Sequence, residues 1–165
     1  MGPYNDSGAH GTHPRANAVR RLGVLAALPQ ELGDLVEAMR AEGEMRTVTL
    51  GRRDYHVGTV HGVPCVTTLA RIGKVAAAAS ASALIHVFGV DSMIFTGVAG
   101  GVGPGVRVGD IVVAESLLQH DLDASPLFPR YEVPLLERAH FPTYAPLADR
   151  LAKACERFLS DEDRK

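Results

Sequence analysis

Residues Thr96 to Val113 read TGVAGGVGPGVRVGDIVV, and no other stretch narrows the folding options of this chain so far. An apolar run, Ser92 to Phe95, leads in, and a second, Asp110 to Glu115, leads out. Six of the fourteen residues from 96 to 109 are glycine, at 97, 100, 101, 103, 105 and 109. Glycine adopts positive φ without strain and puts no side chain between the backbone and a neighbour. The pattern predicts a buried strand, a tight glycine turn and a second strand over about 110–116. A strand that ends in exposed N–H groups is suited to hold a small polar molecule. It is equally a plain connection between two core strands, and the run by itself leaves both readings open.

The rest of the chain sets the frame. At 165 residues it is long enough for one domain with a real core. A hydrophobic content of 46% and a formal charge of −2 give no basic nucleic-acid surface and no acidic tail. Cys65 and Cys155 form no CxxC pair and read as small apolar residues of a reducing, cytoplasmic compartment. No apolar run reaches membrane-spanning length. The opening MGPYNDSGAHGTHPRANAV lacks the apolar core of a signal peptide. We read residues 1–20 as a disordered leader in which His10 and His13 are solvated, residues 21–160 as an α/β domain, and 161–165 as a polar tail.

Periodicity orders the elements within that domain. Leu22 to Ala27 is a continuous apolar run, as in a strand buried on both faces. Pro29 suits a first helical residue, and Leu32, Leu35, Val36 and Met39 recur at helical spacing, so 29–42 is predicted as an amphipathic helix ended by Gly43. Three strands follow, near 45–50, 53–60 and 63–69, with turns at Gly51 and His61-Gly62. The alanine-rich GKVAAAASASALIHV, residues 73–87, predicts a helix that packs closely on a sheet. Prolines 126, 129, 134 and 142 mark 117–144 as a long irregular segment, and Pro146 to Leu159 closes as a helix. The order predicts an α/β fold, a mixed central sheet flanked by helices. Ligands of such folds sit at the carboxyl ends of the strands. Three connections should meet there: Ala27–Glu31, Ala70–Lys74 and Thr96–Gly101.

RIGKV ends like a phosphate-binding loop, but Thr68 stands where the first glycine belongs and Val75 where Ser or Thr belongs. The glycines of 97–109 lack the GxGxxG spacing of dinucleotide enzymes. Glu31 falls in the first turn of a helix that directly follows a buried strand. It reads either as a cover for free N–H groups, since no Ser, Thr, Asp or Asn caps this helix, or as a carboxylate that orients or deprotonates water. Gly73 reads as a tight turn or a close approach to ligand, and Lys74 as solvated. The HDLD run, His120 to Asp123, is a polar loop with no fourth metal ligand in view, so no metal and no cofactor are expected.

LGVLAALPQE (22–31), RIGKVAAA (71–78), TGVAGG (96–101), VRVGDIVV (106–113) and HDLDAS (120–125) together resemble the 5′-methylthioadenosine/S-adenosylhomocysteine nucleosidases of the nucleoside phosphorylase and nucleosidase superfamily. Each piece alone is weak; five in register, from about residue 22 to 125, are specific. The resemblance implies a nucleoside phosphorylase-like sheet, C-terminally truncated, that binds an adenine nucleoside and hydrolyses its N-glycosidic bond in methionine salvage. It implies that Glu31 helps to activate the attacking water and that Leu28 lines the nucleoside pocket. Ile72 would lie near the sugar or thio substituent, and Val98, Ala99 and Gly100 would approach ribose and base. Leu127 and Phe128 match a loop that reaches a neighbouring subunit's pocket in the family homodimer.

The sequence also departs from the family. Its GDxF-like segment, its ribose-gripping V-E-M-E-like segment and its strand ending in Ser-Asp, whose Asp faces the purine as an acid, have no counterpart here. Ser160-Asp161 lies in a polar end after a helix. Val98 stands where a Ser is common, and Ala70-Arg71 where Ser-Gly is common. We therefore expect the N-terminal part of a longer enzyme, inactive by itself, with an exposed apolar sheet edge. Two alternatives differ in chemistry. A phosphorylase would place Arg after the first strand and before the glycine turn, where this chain has Glu31 and Phe95. A non-catalytic nucleoside-binding or oligomerising remnant would bind without turnover.

Overall fold

The computed structural model describes residues 20–162. The expected leader lies outside the described residues except for Arg20, whose N–H donates to Asp91 Oδ2 at 3.0 Å. The chain divides into two compact units, one ending at Gly100 and one beginning at Gly101, so the boundary falls inside the glycine run.

The first unit is a five-stranded sheet with two helices. Its strands are β1 (Leu22–Ala26), β2 (Arg46–Leu50), β3 (Arg53–Val60), β4 (Val63–Leu69) and β5 (Ser92–Phe95), in the order β2-β3-β4-β1-β5. β2, β3 and β4 form an antiparallel meander, as the turn residues at Gly51 and His61-Gly62 predict. β1 lies parallel to both β4 and β5, with Leu25 opposite Thr68 on one side and Phe95 on the other. The sheet is mixed, and its three parallel strands end at one edge.

Side chains alternate across this sheet and build a core on each face. Leu25, Tyr55, Val66, Leu84, Phe88 and Val90 pack with α2 (Lys74–His86) on one face. Val24, Ala26, Leu32, Met39 and Cys65 pack with α1 (Gly33–Glu42) on the other. The Tyr55 and Phe88 rings stack at 4.8 Å between centroids. β1 has room for nothing larger than glycine at 23, where a Cβ would meet Val90 Cγ1 at 2.8 Å. The helix expected over 29–42 is two pieces. Pro29–Glu31 is a single 3-10 turn, and α1 starts after Leu32. Leu32 and Met39, two of the predicted periodic positions, are buried.

Of the two cysteines, Cys65 is buried as expected, and burial pushes its thiol up to about 11; Cys155 is only half-buried. The lead-in strand β5 is not buried on both sides. It is the outer strand of the sheet and exposes Met93 (37%) and Phe95 (65%), so the expected apolar edge is there.

The second unit holds β6 (Ser116–Leu118), β7 (His140–Pro142) and α3 (Ala145–Glu162). β6 and β7 pair antiparallel over three residues each. This corrects two expectations. The strand predicted over 110–116 is absent up to Glu115, because no strand lies alongside it to accept a ladder; Ile111 and Val112 are exposed. The segment 117–144 is not wholly irregular, since it carries the end of β6 and all of β7. The closing helix runs further than 146–159 and includes Ser160, whose hydroxyl donates to Arg157 O at 2.8 Å. The Ser-Asp pair therefore lies inside a helix and not after one. Among the described residues, no helix is long and apolar enough to cross a membrane.

Candidate active site

The three connections expected to meet leave the sheet at the same edge, and hydrogen bonds fasten them side by side. The Ala70 N–H donates to Ala26 O at 2.8 Å and the Thr96 N–H to Leu25 O at 2.9 Å. The ends of β4 and β5 are thus held on either side of the end of β1.

Glu31 occupies the centre of that edge. β1 stops at Ala26, and Pro29 starts the 3-10 turn that carries Glu31 back over the strand end. With no hydroxyl or Asx cap before it, the turn leaves N–H groups free, and the Glu31 carboxylate takes them. Its Oε2 accepts from Ala27 N at 2.9 Å and from Leu28 N at 2.8 Å. Its Oε1 accepts from Val98 N, in the glycine turn, at 3.0 Å. One side chain therefore bridges the β1 and β5 junctions. The N–H groups of Leu28, Val98 and Ala27 hold its carboxyl below the ordinary 4.5, against a smaller opposing pull from partial desolvation. Gly97 makes the approach possible, because a Cβ there would stand 2.7 Å from Glu31 Oε1.

The other expected site residues are distributed as follows. Leu28 and Val98, whose N–H groups hold the carboxylate, and Ala99 and Gly100, which follow in the glycine turn, are exposed, Leu28 at 39% and Val98 at 86%. Ile72 lies in the neighbouring β4–α2 junction with its side chain open to solvent. In that junction Gly73 precedes α2 with φ +109, so the turn itself requires glycine. Leu127 and Phe128 belong to the second unit, where both N–H groups donate to Ala124 O at 3.1 Å. In the HDLD run, Asp123 accepts the N–H and the hydroxyl of Ser125, which with nearby Arg130 lowers its pKa. Among the described residues no three His, Cys, Asp or Glu side chains group as metal ligands.

Sequence reasoning missed two features. The contact between Gly97 and Glu31 had a faint signal, a glycine placed directly after a strand. The gathering of Arg40, the Arg52-Arg53 pair and Arg71 around one groove had none, because those three places are far apart along the chain.

The chain is similar to nucleosidases over about two thirds of its length. It is 38% identical over 105 residues to the 5′-methylthioadenosine/S-adenosylhomocysteine nucleosidase of Maridesulfovibrio salexigens, covering 64% of this chain and 44% of that protein. It is 32% identical over 107 residues to the aminodeoxyfutalosine nucleosidase of Helicobacter pylori, covering 65% of this chain and 46% of that protein. Among solved structures, the methylthioadenosine/S-adenosylhomocysteine nucleosidase of Neisseria meningitidis, in complex with methylthio-immucillin-A, superposes with a TM-score of 0.79 at 32% identity. That match covers 85% of this chain and 59% of the other. The chain thus spans less than half the length of the curated relatives it matches, and the nucleosidase resemblance carried by its five motifs is borne out. The family model described as the phosphorylase superfamily matches residues 21–165. With its mixed α/β sheet, its parallel strands ending at one edge and that match, the chain belongs to the phosphorylase superfamily.

Proposed function

We propose that this chain supplies the water-facing side of a site that hydrolyses the N-glycosidic bond of an adenine nucleoside, methylthioadenosine or S-adenosylhomocysteine. The observation that carries the reading is the Glu31 carboxylate, pinned by three backbone N–H groups across two junctions. A carboxylate offers about four acceptor sites. Two on Oε2 and one on Oε1 are taken, which leaves one on Oε1 for the O–H of a water. With its pKa lowered, Glu31 is a weak base but a permanent anion. Glycosidic cleavage passes through a sugar of oxocarbenium character. Such a centre needs a positioned water and a nearby negative charge more than it needs a strong base.

The remaining roles follow from position. Leu28 and Ile72 give apolar surface to the nucleoside, and Val98, Ala99 and Gly100 approach it through the backbone. The leaving purine needs an acid. The carboxyls whose pKa moves, Glu31, Glu42 and Asp123, all move down, the direction opposite to an acid's. The purine-facing acid is assigned to none of these. A carboxylate at the attacking side repels phosphate, which favours water over a phosphorylase reaction. The same reading includes a place in cytoplasmic methionine salvage. It also includes a homodimer in which Leu127 and Phe128 reach the partner's pocket; Val75 and Ile85, exposed on α2, and Val87, exposed just after it, support association.

The test is calorimetry on the 165-residue chain with methylthioadenosine and with an analogue whose sugar ring carries a protonated nitrogen. The cationic analogue is expected to bind more tightly, and Glu31→Gln to remove that preference by about 10-fold or more. Equal affinity for the two ligands, or an unaffected Glu31→Gln, overturns the role of Glu31. No adenine release is expected from these 165 residues; release would overturn the assignment of the acid elsewhere.

A further inference from the structure

A groove of about 360 Å³ in the first unit takes no part in the reading above. The 3-10 turn and α1 form one wall, and the start of β3 with the end of β4 and the β4–α2 junction forms the other. Four guanidinium side chains line it, Arg40, Arg52, Arg53 and Arg71, against two carboxylates, Glu37 and Asp54. Among the described residues none of the four has a carboxylate within ion-pair distance. Asp54 is engaged elsewhere and accepts the Thr49 hydroxyl at 2.6 Å.

Two of these side chains are held in place by backbone. Arg71 Nη2 donates to Arg52 O at 2.6 Å, and Arg53 Nη1 donates to Gly51 O at 3.3 Å. Arg53 Nε is buried and donates to nothing among the described residues. A buried donor without an acceptor is costly. Arg71 holds φ +66, a region that bulky residues rarely occupy.

We propose that this groove is a subsite for an oxyanion, a carboxylate or a phosphate, carried on the sugar of the nucleoside. The proposal rests on the reading of the Glu31 edge as a nucleoside site. Pro29 and Arg71, which line the groove, belong to the same two junctions that carry Glu31 and Ile72, so a substituent leaving the sugar there meets the groove. Guanidinium forks match planar oxyanions in two-point contact, which ammonium groups do not. The volume suits a substituent of a small molecule and not a polymer.

Calorimetry on the 165-residue chain with three adenosines tests it: methylthioadenosine, its 5′-carboxymethylthio counterpart, and adenosine 5′-monophosphate. One of the two anions is expected to bind about 10-fold or more tightly than methylthioadenosine, as a charge-assisted contact gives. The anion that wins names the group, and its advantage shrinks with added salt. Arg53→Gln and Arg71→Gln are each expected to reduce that advantage several-fold while methylthioadenosine binds as before, which also reports an intact fold. Equal binding of all three, or an advantage that survives both substitutions, overturns the subsite and leaves the nucleoside reading standing. Binding of none of the three overturns both.

Discussion

Both units of this chain carry apolar runs, and only one of them uses those runs as a core. In the first unit Val24, Leu25, Ala26 and Val66 are 6% exposed or less. In the second, no residue up to Ser160 is buried, and Val102 and Val108 stand at 99% and 108% exposure. The difference lies in what is laid against each run. LGVLA has a parallel strand on each side and a helix on each face. Among the described residues VRVGDIVV has no ladder, and the sheet of its unit is two strands of three residues. Hydrophobicity thus states what a segment can bury; its neighbours decide whether it does.

Hydrogen exchange challenges that comparison most strongly. The amides of Val24 and Val66 are expected to exchange at least about 1,000-fold more slowly, relative to unstructured peptide, than those of residues 110–115. Equal protection would abolish the distinction between the units. Leu84, fully buried under the sheet, comes next. Leu84→Ala is expected to lower unfolding stability by about 2–5 kcal/mol in a denaturant titration. A loss below about 1 kcal/mol would mean that the α2 face is not the tight core it looks to be.

Gly97→Ala acts on the site. Its new Cβ displaces the Glu31 carboxylate, breaks the bond from Val98 N and is expected to weaken nucleoside binding about 10-fold, with little change in melting temperature. Unchanged affinity would remove the bridge between the two junctions from the argument.

Acid has a smaller and signed effect. Glu31 and Glu42 have folded pKa values below the ordinary 4.5, so the stability they confer is present above that value and is lost as pH falls through their lowered values. Wild type is therefore expected to lose more stability than Glu31→Gln when pH drops below about 4.5. Parallel profiles would rule out a Glu31 contribution. Val108→Ser is expected to stay within about 0.5 kcal/mol of wild type, since the side chain is fully exposed. A larger loss would reveal packing on the second unit.

Much of the first unit was legible because its signals are local. Gly51, His61-Gly62 and Pro29 set turns through backbone conformation, and the limits of the five strands and of α2 fall within a residue or two of expectation, while α1 starts four residues late. Glu31 was legible by its position but not by its function. An uncapped helix start and a water-orienting carboxylate are the same residue in the sequence, and the structure shows the capping half directly. The failures share one cause. The 110–116 strand, the burial of β5 and the irregularity of 117–144 were all inferred from a segment's own residues, while pairing and burial belong to the segment opposite.

The sequence by itself determined the α/β class, the order of elements as far as β5, the three junctions and the superfamily, because periodicity, turn chemistry and five spaced motifs are written along the chain. Only the tertiary structure decided that β5 is an outer strand, that Glu31 joins Ala27, Leu28 and Val98, and that arginines from three separate parts of the chain face one groove. Those facts depend on which strand lies beside which, a distance through space that no local pattern encodes.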